Sequence, residues 1–194
     1  MDVVSASLGQ ARGFLFVRRL AVSLSSVLLS ACGSDSNSAA QSSSEASFVP
    51  LVDADTWSEV SRASDPFITS SDAPAACSSS AHRSEALGLE LDTTECNWIT
   101  LRAPVRFAVR ERQRLHVVAS HFDLSAETPT RARFELRLLN CTVWSRTIDV
   151  PGEARVYDDE LDAPCSASDG DAMWLHVDNH GQNTYQLQAI EVLR

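Results

Sequence analysis

Leu87-Gly88-Leu89-Glu90-Leu91-Asp92 places a leucine at every second position, with glycine or a carboxylate between. A period of two matches the pleat of a strand that buries one face, so this stretch predicts a half-buried β-strand. Working outward, further short runs rich in β-branched and aromatic residues occur at 97–101, 105–109, 115–121, 131–139, 143–150, 154–157, 173–177 and 185–193. Turn-forming residues separate them, as at Pro151-Gly152 and Asn179-His180-Gly181-Gln182-Asn183. So many short strands without a helical period predict an all-β chain, an antiparallel β-sandwich spanning residues 48–194 as one domain. Trp98, Phe107, Phe122, Phe134 and Trp144 are the rings expected to fill the space between the sheets. Residues 48–86 form a loop-rich lead-in with few apolar anchors, chiefly Trp57, Val60, Phe67 and Ile68. Within it Asp55-Thr56 is placed to cap a helical turn over 57–61.

Upstream of the domain the chain changes character. Arg12, Arg18 and Arg19 precede an apolar run from Leu20 to Leu29, too short to span a bilayer core of about 30 Å. Leu29-Ser30-Ala31-Cys32 follows, and the three parts together resemble the signal segment and lipobox of bacterial lipoproteins. The resemblance implies that residues 1–31 are a signal peptide removed before Cys32, and that Cys32 carries the lipid anchor. Gly33, where an aspartate favours retention at the inner membrane, implies an outer-membrane destination in the bacterial envelope. Several acyl chains at about 0.8 kcal/mol per buried methylene make a durable anchor. Residues 33–47 are almost entirely Ser, Ala, Asn, Gly and acids, a tether with a mean reach of roughly 20 Å.

All sixteen Lys+Arg positions are arginine. From Cys32 onward 13 Arg stand against 25 Asp and Glu, a net charge near −12. That balance excludes nucleic acid as an expected partner and disfavours anionic head groups. The membrane is expected to be met through the lipid alone. Four cysteines remain after Cys32, namely Cys77, Cys96, Cys141 and Cys165, and an even number in an exported domain predicts two disulfides. Three connectivities are open. Nearest-neighbour pairing, Cys77 with Cys96 and Cys141 with Cys165, is the expected one, each closure contributing about 3 kcal/mol.

The strand-turn-strand from Leu175 to Tyr185 is the densest in ligand chemistry. Trp174, His176, Asn179, His180, Asn183 and Tyr185 offer rings that can stack on a sugar face and amides that can exchange hydrogen bonds with hydroxyls. The same residues are also those a hairpin turn requires. The last run, Tyr185-Gln-Leu-Gln-Ala-Ile-Glu-Val-Leu-Arg194, resembles the closing strand of jelly-roll sandwiches of the galactose-binding-like and carbohydrate-binding-module kind. In that family a structural calcium often joins an early acidic loop to an acid of the last strand. The resemblance implies calcium as the cofactor, with Asp53, Asp55 and Glu191 as its ligands. No nucleophile elbow, zinc helix motif or glycine-rich phosphate loop occurs, so no catalytic residue is expected.

The leading expectation is therefore a lipid-anchored envelope protein that binds glycan without turning it over. A second is an assembly lipoprotein whose sheet edge takes a protein partner by strand addition. A third sets His116 and His176 side by side on adjacent strands, with Asp178 or His180, as a metal or general-base site.

Overall fold

The computed structural model describes residues 46–67, 77, 79–179 and 183–194. The strands are β1 (Phe48–Pro50), β2 (Ser58–Glu59), β3 (His82–Glu85), β4 (Gly88–Asp92), β5 (Trp98–Pro104), β6 (Arg114–His121), β7 (Thr130–Leu138), β8 (Cys141–Val150), β9 (Arg155–Asp162), β10 (Ala172–Asp178) and β11 (Thr184–Leu193). One sheet runs β3-β4-β11-β6-β9, with β1 also paired to β11, and the other runs β2-β5-β10-β7-β8. Every pairing is antiparallel. From β4 onward the chain crosses between sheets at each connection except β7 to β8. The eight strands so placed, in the orders β4-β11-β6-β9 and β5-β10-β7-β8, have the double Greek-key order of a jelly roll.

Alternation explains the core. Leu115, Val117 and Ala119 of β6 and Tyr185, Ile190 and Val192 of β11 face Leu101, Phe134, Leu136, Leu175 and Val177 of the other sheet, all buried. Phe134 packs edge-on against both Trp144 and Tyr185, with ring centroids 5.2 and 5.6 Å apart. Cys77 is joined to Cys96 and Cys141 to Cys165, with Cα separations of 4.8 and 6.4 Å. The first bridge ties the lead-in to the turn before β5. The second ties the start of β8 to the loop before β10.

Four local expectations are corrected. The segment 57–61 contains β2, paired to Arg102 and Leu101 of β5, and not a helical turn. A 3-10 turn follows at Arg62–Ser64, while the Thr56 hydroxyl donates back to the Asp53 carbonyl. Residues 105–109 form no strand and are held by Val105 N–H to the Asp171 carbonyl and by a bridge between Val109 and Ala167. The run 154–157 is the start of a longer strand, because β9 continues through its acids opposite β6, where Arg114 meets Glu160 and Asp162. Phe122 is 57% exposed and outside the core, and Phe107 is only partly buried against it.

Candidate functional site

The register of the second sheet fixes which side chains share its outer face. Because Leu175 and Val177 point into the core, Trp174, His176 and Asp178 of β10 point outward, beside Arg102, Thr100 and Trp98 of β5. Arg137, Glu135 and Arg133 lie on the other flank, on β7. Such a face would be wet if nothing lay on it. Here residues 61–67, following β2, cross it.

Three contacts pin that strap. The Asp65 carboxylate accepts the Thr100 hydroxyl at 2.6 Å and the Phe67 backbone N–H at 2.8 Å. The Phe67 ring stacks on the imidazole of His176, 4.4 Å between centroids and 7° from parallel. The Arg137 guanidinium lies 4.0 Å from the Phe67 ring centroid on β7's side, held there by Glu135 at 2.6 Å. His176 is thereby fully buried, its Nδ1 2.7 Å from Thr100 Oγ1. Since the single Thr100 proton goes to Asp65, the His176 Nδ1–H is the donor and Nε2 carries the lone pair. Nε2 has no partner among the described residues. Burial, reinforced by the charges of Arg133 and Arg137, pushes the His176 pKa down to about 3. It is a neutral structural group with no open path to a ligand.

Beyond the strap's edge the face opens. Trp174 is half-buried and forms the floor of a shallow groove of about 470 Å³ lined by Ser58, Glu59, Ser61, Ser64 and Arg102. The Arg102 guanidinium lies 5.7 Å from the Trp174 ring centroid. Ser58 donates to the Arg102 carbonyl at 3.1 Å, and Ser61 to Ser64 Oγ at 3.3 Å. An apolar ring is thus flanked by a guanidinium and by serine hydroxyls, while Glu59, in register with the core-facing Leu101, does not share the Trp174 face. That set can pack on an apolar face while exchanging hydrogen bonds around its edge.

The remaining candidates are placed elsewhere. Asn179 and Asn183 are buried and tie loops together: Asn183 Nδ2 donates to Asn179 Oδ1 at 2.7 Å, Asn179 Nδ2 to Thr93 Oγ1 at 2.6 Å, and Ser125 N–H to Asn183 Oδ1 at 2.7 Å. Their amides satisfy polar groups between loops and do not face a ligand. Tyr185 is fully buried in the core, its burial raising the phenol pKa, so its ring is not available for stacking. His180, with Gly181 and Gln182, lies outside the described residues, as does Cys32.

Asp53, Asp55 and Glu191, the residues expected to hold calcium, are placed as follows. Asp53 pairs with Arg106 at 3.1 Å and Glu191 with His116 at 2.8 Å, while Asp55 is exposed in the turn beyond. Among the described residues no three His, Cys, Asp or Glu side chains are grouped to hold a metal. Nor do His116 and His176 meet. β6 and β10 belong to different sheets, and the two rings point away from opposite outer faces.

Of the groove, the sequence singled out Trp174 alone. Ser58, Ser61 and Ser64 recur at every third position, which is a signal only once β2 is known to turn them beside β10. Arg102 reaches Trp174 through a register that local pattern does not specify.

No protein-family model matches this chain, and no curated protein matches it. Among solved structures it is similar to a xylan-binding module, CBM15, at 9% identity and a TM-score of 0.39, over 76% of this chain and 95% of that one. It is similar to the family 11 carbohydrate-binding module of Clostridium thermocellum, in complex with a β-1,3-1,4-mixed-linked tetrasaccharide, at 10% identity and a TM-score of 0.37, over 74% and 94%. A third is TmCBM61 in complex with β-1,4-galactotriose, at 6% identity and a TM-score of 0.31, over 78% and 89%. At scores this low the similarity says nothing of a ligand.

Proposed function

We propose that this chain is a lipid-anchored protein of the bacterial envelope that binds neutral glycan in the Trp174 groove and does not cleave it. The observation that carries the reading is the half-buried Trp174 ring lining the groove, bordered by Arg102 and the hydroxyls of Ser58, Ser61 and Ser64. A pyranose presents an apolar C–H face and an equator of hydroxyls, the two features such a surface complements. Among the described lining residues no pair of carboxylates flanks the Trp174 ring, whereas glycoside hydrolysis ordinarily needs two flanking the bond. Binding without turnover is the chemistry that fits. Strand addition is less well supported, since the outer strand β9 runs Asp158-Asp159-Glu160-Leu161-Asp162, charges that blunt an edge.

Affinity electrophoresis of the full chain in gels containing neutral β-glucans, xylans or galactans tests the reading. One of them is expected to retard the protein. Trp174→Ala is expected to weaken retardation about tenfold or more, the equivalent of about 1.4 kcal/mol. Retardation by none, or retardation that Trp174→Ala leaves intact, overturns the assignment. The anchor is tested separately by metabolic palmitate labelling, which Cys32→Ser is expected to abolish.

A further inference from the structure

The edge of β11 is covered in two pieces. β4 pairs with residues 184–187 and β1 with residues 191–193. Between them the strand bulges at Leu187 to Ala189. β4 begins there with Gly88 at φ +123°, where a Cβ would lie 2.4 Å from the Leu187 carbonyl oxygen. Only glycine permits this approach. Bulge and gap together leave a notch of about 280 Å³.

The notch has an apolar interior and a polar mouth. Trp57, Val52, Leu89, Leu187 and Ile190 line its walls. Asp53, Arg106, Gln188 and Glu191 also border it. Arg106 is paired with Asp53, and His116 beside Glu191 is shared with Asp158, so an anionic ligand would find no unpaired positive charge. Carboxylate, guanidinium and amide supply acceptors and donors around an apolar pit, the arrangement that meets ring C–H groups inside and hydroxyls at the rim. The space suits one ring and no more. Trp57 belongs to this notch while the adjacent Ser58 and Glu59 line the Trp174 groove, so β2 separates two cavities of related chemistry.

We infer that the notch is a second site on this domain, taking a single neutral hexopyranose unit against Trp57. The inference rests on the reading that the domain binds neutral glycan, and it adds a place for one isolated sugar residue apart from the groove. Single sugars in such sites bind in the millimolar range.

The test is ¹H–¹⁵N NMR of the full chain titrated with methyl glycosides of glucose, galactose and mannose, following the four tryptophan indole N–H signals. At least one glycoside is expected to shift the Trp57 indole saturably. Ala54→Trp fills the mouth from an exposed position and is expected to abolish the shift with the fold intact by circular dichroism. Gln188→Ala is expected to weaken it severalfold, and Trp174→Ala to leave it unchanged. The inference is overturned if no glycoside moves the Trp57 signal, or if the shift survives Ala54→Trp or disappears with Trp174→Ala. It is likewise overturned if phenol binds there and the glycosides do not. Polysaccharide retardation that depends on Trp174, with a silent notch, would leave the groove standing and remove the second site alone.

Discussion

On β6 the run Arg114-Leu-His-Val and on β10 the run Trp174-Leu-His-Val alternate alike, each sending one histidine outward from its sheet. His116 keeps 22% of its side chain exposed, between Glu191 and Asp158 at 2.8 Å each. His176 lies fully buried beneath Phe67. The hydrogen bonds to Glu191 and then Asp158 raise the His116 pKa, whereas burial lowers that of His176. A strand pattern therefore fixes which way a side chain points, and a segment remote in sequence decides whether that direction is wet. On the second sheet the strap of residues 61–67 makes a covered structural half and leaves the Trp174 groove as the open remainder.

The difference between the histidines gives the largest expected effect. His176 is neutral in the folded chain, so as pH falls below about 6.5 the unfolded state takes up a proton that the folded state refuses until about pH 3. Stability is lost across that window, with a slope approaching about 1.4 kcal/mol per pH unit from this group. His116 acts in the opposite sense. Its contribution is fully present below the unfolded pKa near 6.5 and is lost as pH rises through its raised folded value. Urea unfolding from pH 7 to pH 4 is expected to show the His176 loss, and ring ¹⁵N shifts are expected to show His176 as the Nδ1–H tautomer throughout. An Nε2–H tautomer, or titration of His176 near pH 6, would contradict the Asp65–Thr100–His176 chain.

Phe67→Ala comes next. It removes a ring that is 7% exposed and stacked on His176, and is expected to cost about 3 kcal/mol in urea unfolding at pH 7. It should also bring the His176 titration upward, since water would reach the imidazole. Thr100→Val keeps the shape and deletes the hydroxyl that joins Asp65 to His176. It is expected to cost about 1–3 kcal/mol, because both partners stay buried and lose a hydrogen bond. A change below about 0.5 kcal/mol would mean that the strap is held by packing alone.

These residues also mark the limit of what the sequence made legible. The alternation of β4, β6, β7, β10 and β11 is a local signal, written into consecutive side chains and closed by turn residues, and the antiparallel β-sandwich followed from it. The strap is different. Asp65-Pro66-Phe67 sits in a stretch of Ser, Ala and Asp with no period, and its partner Thr100 lies 35 residues on, itself 76 residues from His176. The helical turn expected over 57–61 failed for the same reason, since β2 exists only by pairing with β5. Asn179 and Asn183 were misleading because amides suit a ligand and a buried loop junction equally well, and composition does not say which side of the loop they face. Of the candidate sugar-binding residues within the described part, Trp174 alone opens to a groove, because the strap lines its side without covering the ring.

The smallest effect bears most directly on the uncovered face. Phe122 is 57% exposed and Val156 65%, both on the solvent side of the first sheet beyond Ser120, opposite the face that the strap covers. Phe122→Ala removes a ring comparable in size to Phe67, yet it leaves no cavity and no polar group unpaired, so its cost is expected to stay within about 0.5 kcal/mol. The pair Phe67→Ala and Phe122→Ala thus compares the same chemical deletion on two faces of one sandwich. Equal costs would mean that Phe122 is covered in solution, by a second copy of the chain if the cost grows with protein concentration. A large difference at every concentration is what a single covered face requires.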